Sequence, residues 1–103
     1  MVKHIFIAPI KENVSEDSIN KRIMQMKELK KQVPEIKNLM VEKATGWLGV
    51  SHTVVLVAEL DSQKDWEIFV NNEYHKELGK TDDLYFKVEE FVCVQIEGGK
   101  SNE

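Results

Sequence analysis

The chain contains one cysteine, Cys93, in 103 residues. One cysteine cannot close an internal disulfide, which fits a reducing compartment. There is no excess of positive charge: fourteen Lys and Arg stand against eighteen Asp and Glu, a net charge of −4. Nothing is left over to neutralise a phosphate backbone, so nucleic acid is not an expected partner. No apolar run approaches the ~20 residues that cross a bilayer. The opening MVKHIFIAPI is too short for a signal peptide and is followed by charge rather than by a small-residue cleavage site. The expected location is cytoplasmic, with no membrane partner.

Several chemical signatures are also missing. No GxxxxGK[ST] run and no dinucleotide glycine pattern occur, and Gly46 and Gly49, three apart, signal turns. HxH, HExxH and paired-cysteine spacings are absent, as are haem-attachment cysteines. No metal and no cofactor is therefore expected. Asp82, Asp83, Glu89 and Glu90 read as solvated charge, and Lys27, Lys30 and Lys31 as the complement of a helix C-terminus.

What is present is ordinary for a small globular domain: 42% hydrophobic and 31% charged residues, enough for one modest core. We expect one domain over residues 1–97 and a flexible tail, GGKSNE, over 98–103. Residues 3–8 alternate as a strand with His4, Phe6 and Ala8 on one face and Ile5 and Ile7 on the other. Ser15 is a fitting N-cap, with Glu16 and Asp17 in the first helical turn. Ile19, Ile23, Met26, Leu29 and Val33 form that helix's buried stripe, and Pro34 ends it at Val33. Residues 36–43 read as a weaker strand, 44–51 as a loop, 52–60 as the strongest strand and 86–96 as the last. Residues 79–83 read as a turn-rich link, and Cys93 as a small buried hydrophobe.

Residues 61–78, DSQKDWEIFVNNEYHKEL, join a short helix, an aromatic cluster and a histidine. Asp61 and Ser62 can cap the helix, and Trp66, Phe69 and Val70 share one face of it. Asn71 and Asn72 should end it, so that Glu73, Tyr74 and His75 open a second short helix. Trp47 reads as an anchor for its loop, with a lid over a pocket as the alternative. His4 and His52 fit either as strand histidines at the edge of the core or as pocket residues, and His75 as either a surface or a pocket residue.

The element order is strand, helix, strand, strand, helix, strand: an α+β chain of the ferredoxin-like kind with a four-stranded antiparallel sheet. Its helices can cover only one face. The apolar residues at 5–7, 55–57 and 92–94 would leave the other face wet and forgo several kcal/mol per strand at ~25 cal/mol per Å². A second copy is the economical cover, so we expect a homodimer with two sheets face to face.

The pieces VKHIFI, VPEIKNLMVEK, SHTVVLVAEL, DSQKDWEIFVNNEYHKEL and VEEFVCVQIE, in this order over residues 2–97, resemble the stress-responsive A/B barrel domain family (Dabb) of dimeric α+β barrels. The resemblance implies the same dimeric barrel. It also places His4, His52 and His75 where family members commonly carry histidine. In the plant polyketide cyclase branch, which makes olivetolic acid, the counterpart of His75 is a catalytic base assisted by a tyrosine. Here the tyrosine position is Phe69, and the usual His-Pro-x-His run reads Asn72-Glu73-Tyr74-His75.

Two functions follow as expectations. One is a stress-responsive barrel protein whose dimer holds a small apolar pocket for an aromatic or polyketide-like molecule. The other is a cofactor-independent cyclase- or lyase-type enzyme with His75 as general base and His4 and His52 orienting or polarising a carbonyl. In both, Phe6, Trp47, Trp66, Phe69 and Tyr74 shape the pocket.

Overall fold

The computed structural model describes residues 1–98, so the expected tail lies outside the described residues but for Gly98. The chain runs β1 (Val2–Pro9), α1 (Glu16–Lys27), α2 (Leu29–Gln32), β2 (Asn38–Lys43), β3 (Thr53–Leu60), α3 (Gln63–Asn71), α4 (Glu73–Lys80) and β4 (Val92–Glu97). Two 3-10 turns, Asp82–Leu84 and Val88–Glu90, precede β4. All pairings are antiparallel in a sheet of order β2-β3-β1-β4. This is the ferredoxin-like α+β arrangement that the element order predicts.

The register sets two kinds of row across the sheet. On the helix side, Leu39, Ala58, His4 and Gln95 form one row, and Val41, Leu56, Phe6 and Cys93 the next. On the opposite side run Met40, Val57, Ile5 and Val94, followed by Glu42, Val55, Ile7 and Val92. The helices cover only the first side. Ile19, Ile23, Met26, Leu29 and Val33, the predicted stripe, are buried with Ala8, Val54, Leu56, Ala58 and Leu60. Each fully buried Val, Leu, Ile or Met side chain there contributes roughly 1.5–3 kcal/mol.

The caps follow the sequence. Ser15 Oγ accepts from the Ser18 N–H and Ser62 Oγ from the Asp65 N–H. Asn72 separates α3 from α4, and its Oδ1 accepts from the N–H groups of Tyr74 and His75. Val33 is extended, as a residue before proline tends to be. The first helix does not run unbroken to Val33, however, but is interrupted at Glu28. Helix α4 continues through Gly79 and Lys80, so the link before β4 begins later than expected.

The last strand is shorter than the predicted 86–96. Residues five apart on a strand face opposite ways, yet Phe86 and Phe91 both reach the core, with ring centroids 6.1 Å apart. The turn at Val88–Glu90 between them makes this possible. Phe86 instead forms an isolated bridge with Ile10.

Candidate functional site

Between the sheet and the helix layer lies a cavity of about 360 Å³, within the size range of small-molecule sites. Its wall comes from β1 (His4, Phe6), from α3 (Trp66, Phe69, Val70), from α4 (His75, Leu78) and from β4 (Cys93, Gln95). Met26, Leu29, Leu56 and Phe91 make its apolar floor, and Asp82 stands on its wall. Of the residues singled out in the sequence, the cavity brings together His4, Phe6, Trp66, Phe69 and His75.

Three others are elsewhere, each for a physical reason. His52 precedes β3 and has φ +52, a left-handed conformation that takes its side chain out of the strand's alternation, and it is exposed. It does not join the other histidines. Trp47 is 89% exposed and Leu48 99% exposed, so neither anchors its loop nor covers the cavity. Gly46 and Gly49, with φ +75 and +93, shape a loop that projects from the β2–β3 hairpin. Tyr74 faces α1, where its hydroxyl donates to the Gln25 carbonyl at 2.7 Å. That carbonyl lies in the last turn of α1, where helical carbonyls lack intrahelical partners.

The two cavity histidines flank Phe69, which is 1% exposed: ring centroids are 5.2 Å apart for His4 and Phe69, and 4.7 Å for Phe69 and His75. His75 Nδ1 lies 3.2 Å from the Val70 carbonyl oxygen. A carbonyl only accepts, so Nδ1 carries the proton and Nε2 keeps its lone pair. Among the described residues Nε2 has no protein partner. Burial lowers the pKa of this imidazole below the ordinary 6.5, while the Val70 bond and the Asp82 carboxylate raise it. A neutral ring with one anchored N–H and one free lone pair is the form a general base requires.

His4 is deeper. Trp66 Nε1 donates to its Nδ1 at 3.1 Å, Gln95 Nε2 is 3.1 Å from the same atom, and Cys93 Sγ is 3.7 Å from its Nε2. Burial, then the charge of His75, lowers its pKa to about 4. Cys93 is exposed on the wall rather than buried as a core hydrophobe, and partial burial pushes its thiol up, away from the thiolate.

Sequence reasoning missed a second group. Arg22, the single arginine, is 2% exposed and is ion-paired with Asp82 of the cavity wall. It donates to Asp82 Oδ1 at 2.7 Å, to the Leu78 carbonyl and to Thr81 Oγ1, and its guanidinium lies 4.8 Å from the Tyr85 ring centroid. Asp82 is thus an ion-paired wall residue rather than solvated charge. The signal was Arg22's place within the apolar stripe, three after Ile19 and four before Met26. Gln95 and Cys93 were legible from β4 alternation once its start was known. No group of three or more His, Cys, Asp or Glu that could hold a metal ion occurs among the described residues.

The sheet and the helix layer make this protein a ferredoxin-like α+β domain of the class found as dimeric barrels. A model of the stress responsive A/B barrel domain matches residues 2–94, and the chain belongs to that family. No match was found among curated proteins. The fold is similar to that of a dimeric ferredoxin-like protein of unknown function from Thermobifida fusca, with 20% identity and a TM-score of 0.81 over 94% of this chain and 90% of that one. It is also similar to a hydroxynitrile lyase from Passiflora edulis: 18% identity, TM-score 0.81, 96% and 94% covered. A dimeric protein of unknown function and ferredoxin-like fold from Bacteroides fragilis matches with 20% identity and a TM-score of 0.74 over 94% and 95%. At these identities the likeness is one of fold. No described helix is long and apolar enough to cross a membrane.

Proposed function

We propose that the protein is a homodimer, each protomer of which binds a small, largely apolar molecule, aromatic or polyketide-like, between its sheet and helices. On that molecule His75 acts as a general base without a cofactor. One observation carries the reading: His75 is held by its Nδ1–H on the Val70 carbonyl, with the Nε2 lone pair free in a wall otherwise dominated by apolar side chains. Proton abstraction needs that arrangement and a pKa near working pH. His4 supplies the hydrogen-bonding group opposite, and His52 takes no part. The bare sheet face supports the dimer: Met40, Val92, Val94 and Ile96 are exposed on it, and two similar structures are dimeric. The lone cysteine is in keeping with a cytoplasmic location.

A second reading, binding without turnover, is favoured by a different observation. No Tyr, Ser or Thr hydroxyl stands among the cavity residues: Phe69 has none, and Tyr74 points its own at α1. The similar hydroxynitrile lyase establishes no reaction for this chain, because fold alone does not carry chemistry.

Native mass spectrometry of the purified protein is the first test, since it reads subunit count and retained ligand together. A dimer with a discrete adduct is expected. A monomer at micromolar concentration would overturn the homodimer. Once a reacting ligand is known, His75→Ala should lower turnover ~10²-fold or more with the fold intact. Unchanged turnover removes His75 as base, and binding without any turnover in the wild type selects the second reading.

A further inference from the structure

The partners of His4 determine where its proton is. An indole nitrogen can only donate, so the 3.1 Å bond from Trp66 Nε1 requires a lone pair on Nδ1. Gln95 Nε2 addresses the same atom at 3.1 Å. In the neutral ring the proton therefore sits on Nε2. Among the described residues that nitrogen has one polar neighbour, Cys93 Sγ at 3.7 Å, a long contact to a weak acceptor. His4 is 6% exposed, so placing a second proton on Nδ1 would displace two N–H groups from a buried ring. The ring remains an uncharged donor whose Nε2–H is poorly used by the protein itself.

His75 has the reverse arrangement, with Nδ1–H on Val70 and the lone pair of Nε2 free. Phe69 lies between the two rings. The cavity thus offers one neutral donor and one acceptor on either side of an apolar surface.

We propose that Trp66, with Gln95, is a positioning residue that holds His4 as a neutral Nε2–H donor, so that the cavity selects molecules with a carbonyl oxygen conjugated to an acidic O–H or C–H. The oxygen meets His4 and the acidic proton meets His75. The selectivity rests on the reading of His75 as the base; the positioning of His4 does not. For an acidic C–H, His75 Nε2 takes the proton and the C–H electron pair becomes the C=C bond of an enolate. The carbonyl π pair moves to oxygen, where the His4 Nε2–H hydrogen-bonds it. A neutral imidazole can serve as electrophile to such an oxygen.

Long-range proton–nitrogen NMR of protein labelled with ¹⁵N-histidine reads the tautomer directly. His4 should show a protonated Nε2 and a bare Nδ1, unchanged between roughly pH 5.5 and 8. A wild-type spectrum with the proton on Nδ1 overturns the proposal without any variant. Trp66→Phe keeps a ring and removes the indole N–H, and the Nδ1–H form should then appear; Gln95→Leu tests the weaker partner in the same way. If Trp66→Phe folds and leaves the tautomer unchanged, the positioning role is refuted.

Selectivity is read with two probes, 2,4-dihydroxyacetophenone and 4-ethylresorcinol, which lacks the carbonyl. The wild type should bind the ketone about tenfold more tightly, the worth of one hydrogen bond, and Trp66→Phe should reduce the preference to within about twofold. Equal affinities in the wild type refute the selectivity. If neither probe binds while the tautomer is as expected, the ligand reading of the cavity fails and the selectivity with it, whereas the positioning of His4 stands.

Discussion

On β3, Val54, Leu56, Ala58 and Leu60 are buried beneath the helices, whereas Val55 and Val57, alternating with them, lie half-buried on the other face of the sheet. Residue type does not separate the two sets. The helix-covered face carries the cavity and all of its polar groups, so hydrogen bonds fix geometry there. The bare face has rows of apolar side chains edged by Lys3, Glu42 and Glu59, and little on it is directional. One face is specified by contacts within the chain, while the other is suited to what covers it from outside.

The strongest way to break that contrast is a charge on the bare face. Ile7 lies in the row Glu42, Val55, Ile7, Val92, without a neighbouring cation in that row. In a twofold interface Ile7→Glu buries two unpaired carboxylates. The expected loss in dimer affinity is at least about 5 kcal/mol, more than three decades in Kd, read by sedimentation equilibrium, with the protomer still folded by circular dichroism. An unchanged dimer would place the interface elsewhere.

On the covered face the equivalent change acts within the protomer. Phe69→Ala empties a site between the two imidazoles and should destabilise the fold by about 3–5 kcal/mol in urea denaturation. A loss below about 1 kcal/mol would mean that the helix layer collapses onto the space, and that the cavity is not held by Phe69.

Acid sharpens the same comparison, because the buried histidine lies on the covered face. The folded pKa of His4 is about 4 against 6.5 for the free side chain. Between those values the unfolded chain binds the extra proton, so stability falls as pH falls. From pH 7 to pH 5 the loss through His4 is about 2 kcal/mol. His75, also lowered, adds in the same direction. Denaturation of the wild type and of His4→Gln at both pH values checks this: the variant should lose the His4 share of the slope. Equal slopes would mean that His4 is solvated in the folded protein.

Most of the fold could be read from the sequence because alternation and caps are local. The β1 faces, the α1 stripe, Ser15, Ser62 and the Asn72 break all follow from neighbours within a few residues. The site was legible where a residue keeps its element's phase: His4 with Phe6 on β1, Trp66 with Phe69 on α3. It was not where phase is broken. His52 continues the β3 alternation on paper, but its positive φ ends it. Tyr74 is next to His75, and one helical step of about 100° sends it to α1 instead of the cavity. Arg22 was overlooked because, apart from Gln25 three residues on, its partners and neighbours, Leu78, Thr81, Asp82 and Tyr85, lie more than fifty residues away.

The smallest effect is expected where neither face is involved. Trp47 and Leu48, at the tip of the β2–β3 loop, are apolar yet almost wholly exposed, and the Trp47 N–H is bonded only locally, to Thr45 Oγ1. Replacing Leu48 by Ser removes no buried area from the protomer, so its stability should change by less than about 0.5 kcal/mol. Trp66, the other tryptophan, provides the control, because its indole is bonded to His4. If Leu48→Ser instead costs more than about 1 kcal/mol, and the cost grows with protein concentration, the loop is buried by the second copy. The interface then extends past the sheet to the hairpin tip, and the apolar residues at 47, 48 and 50 belong with the bare face rather than apart from both.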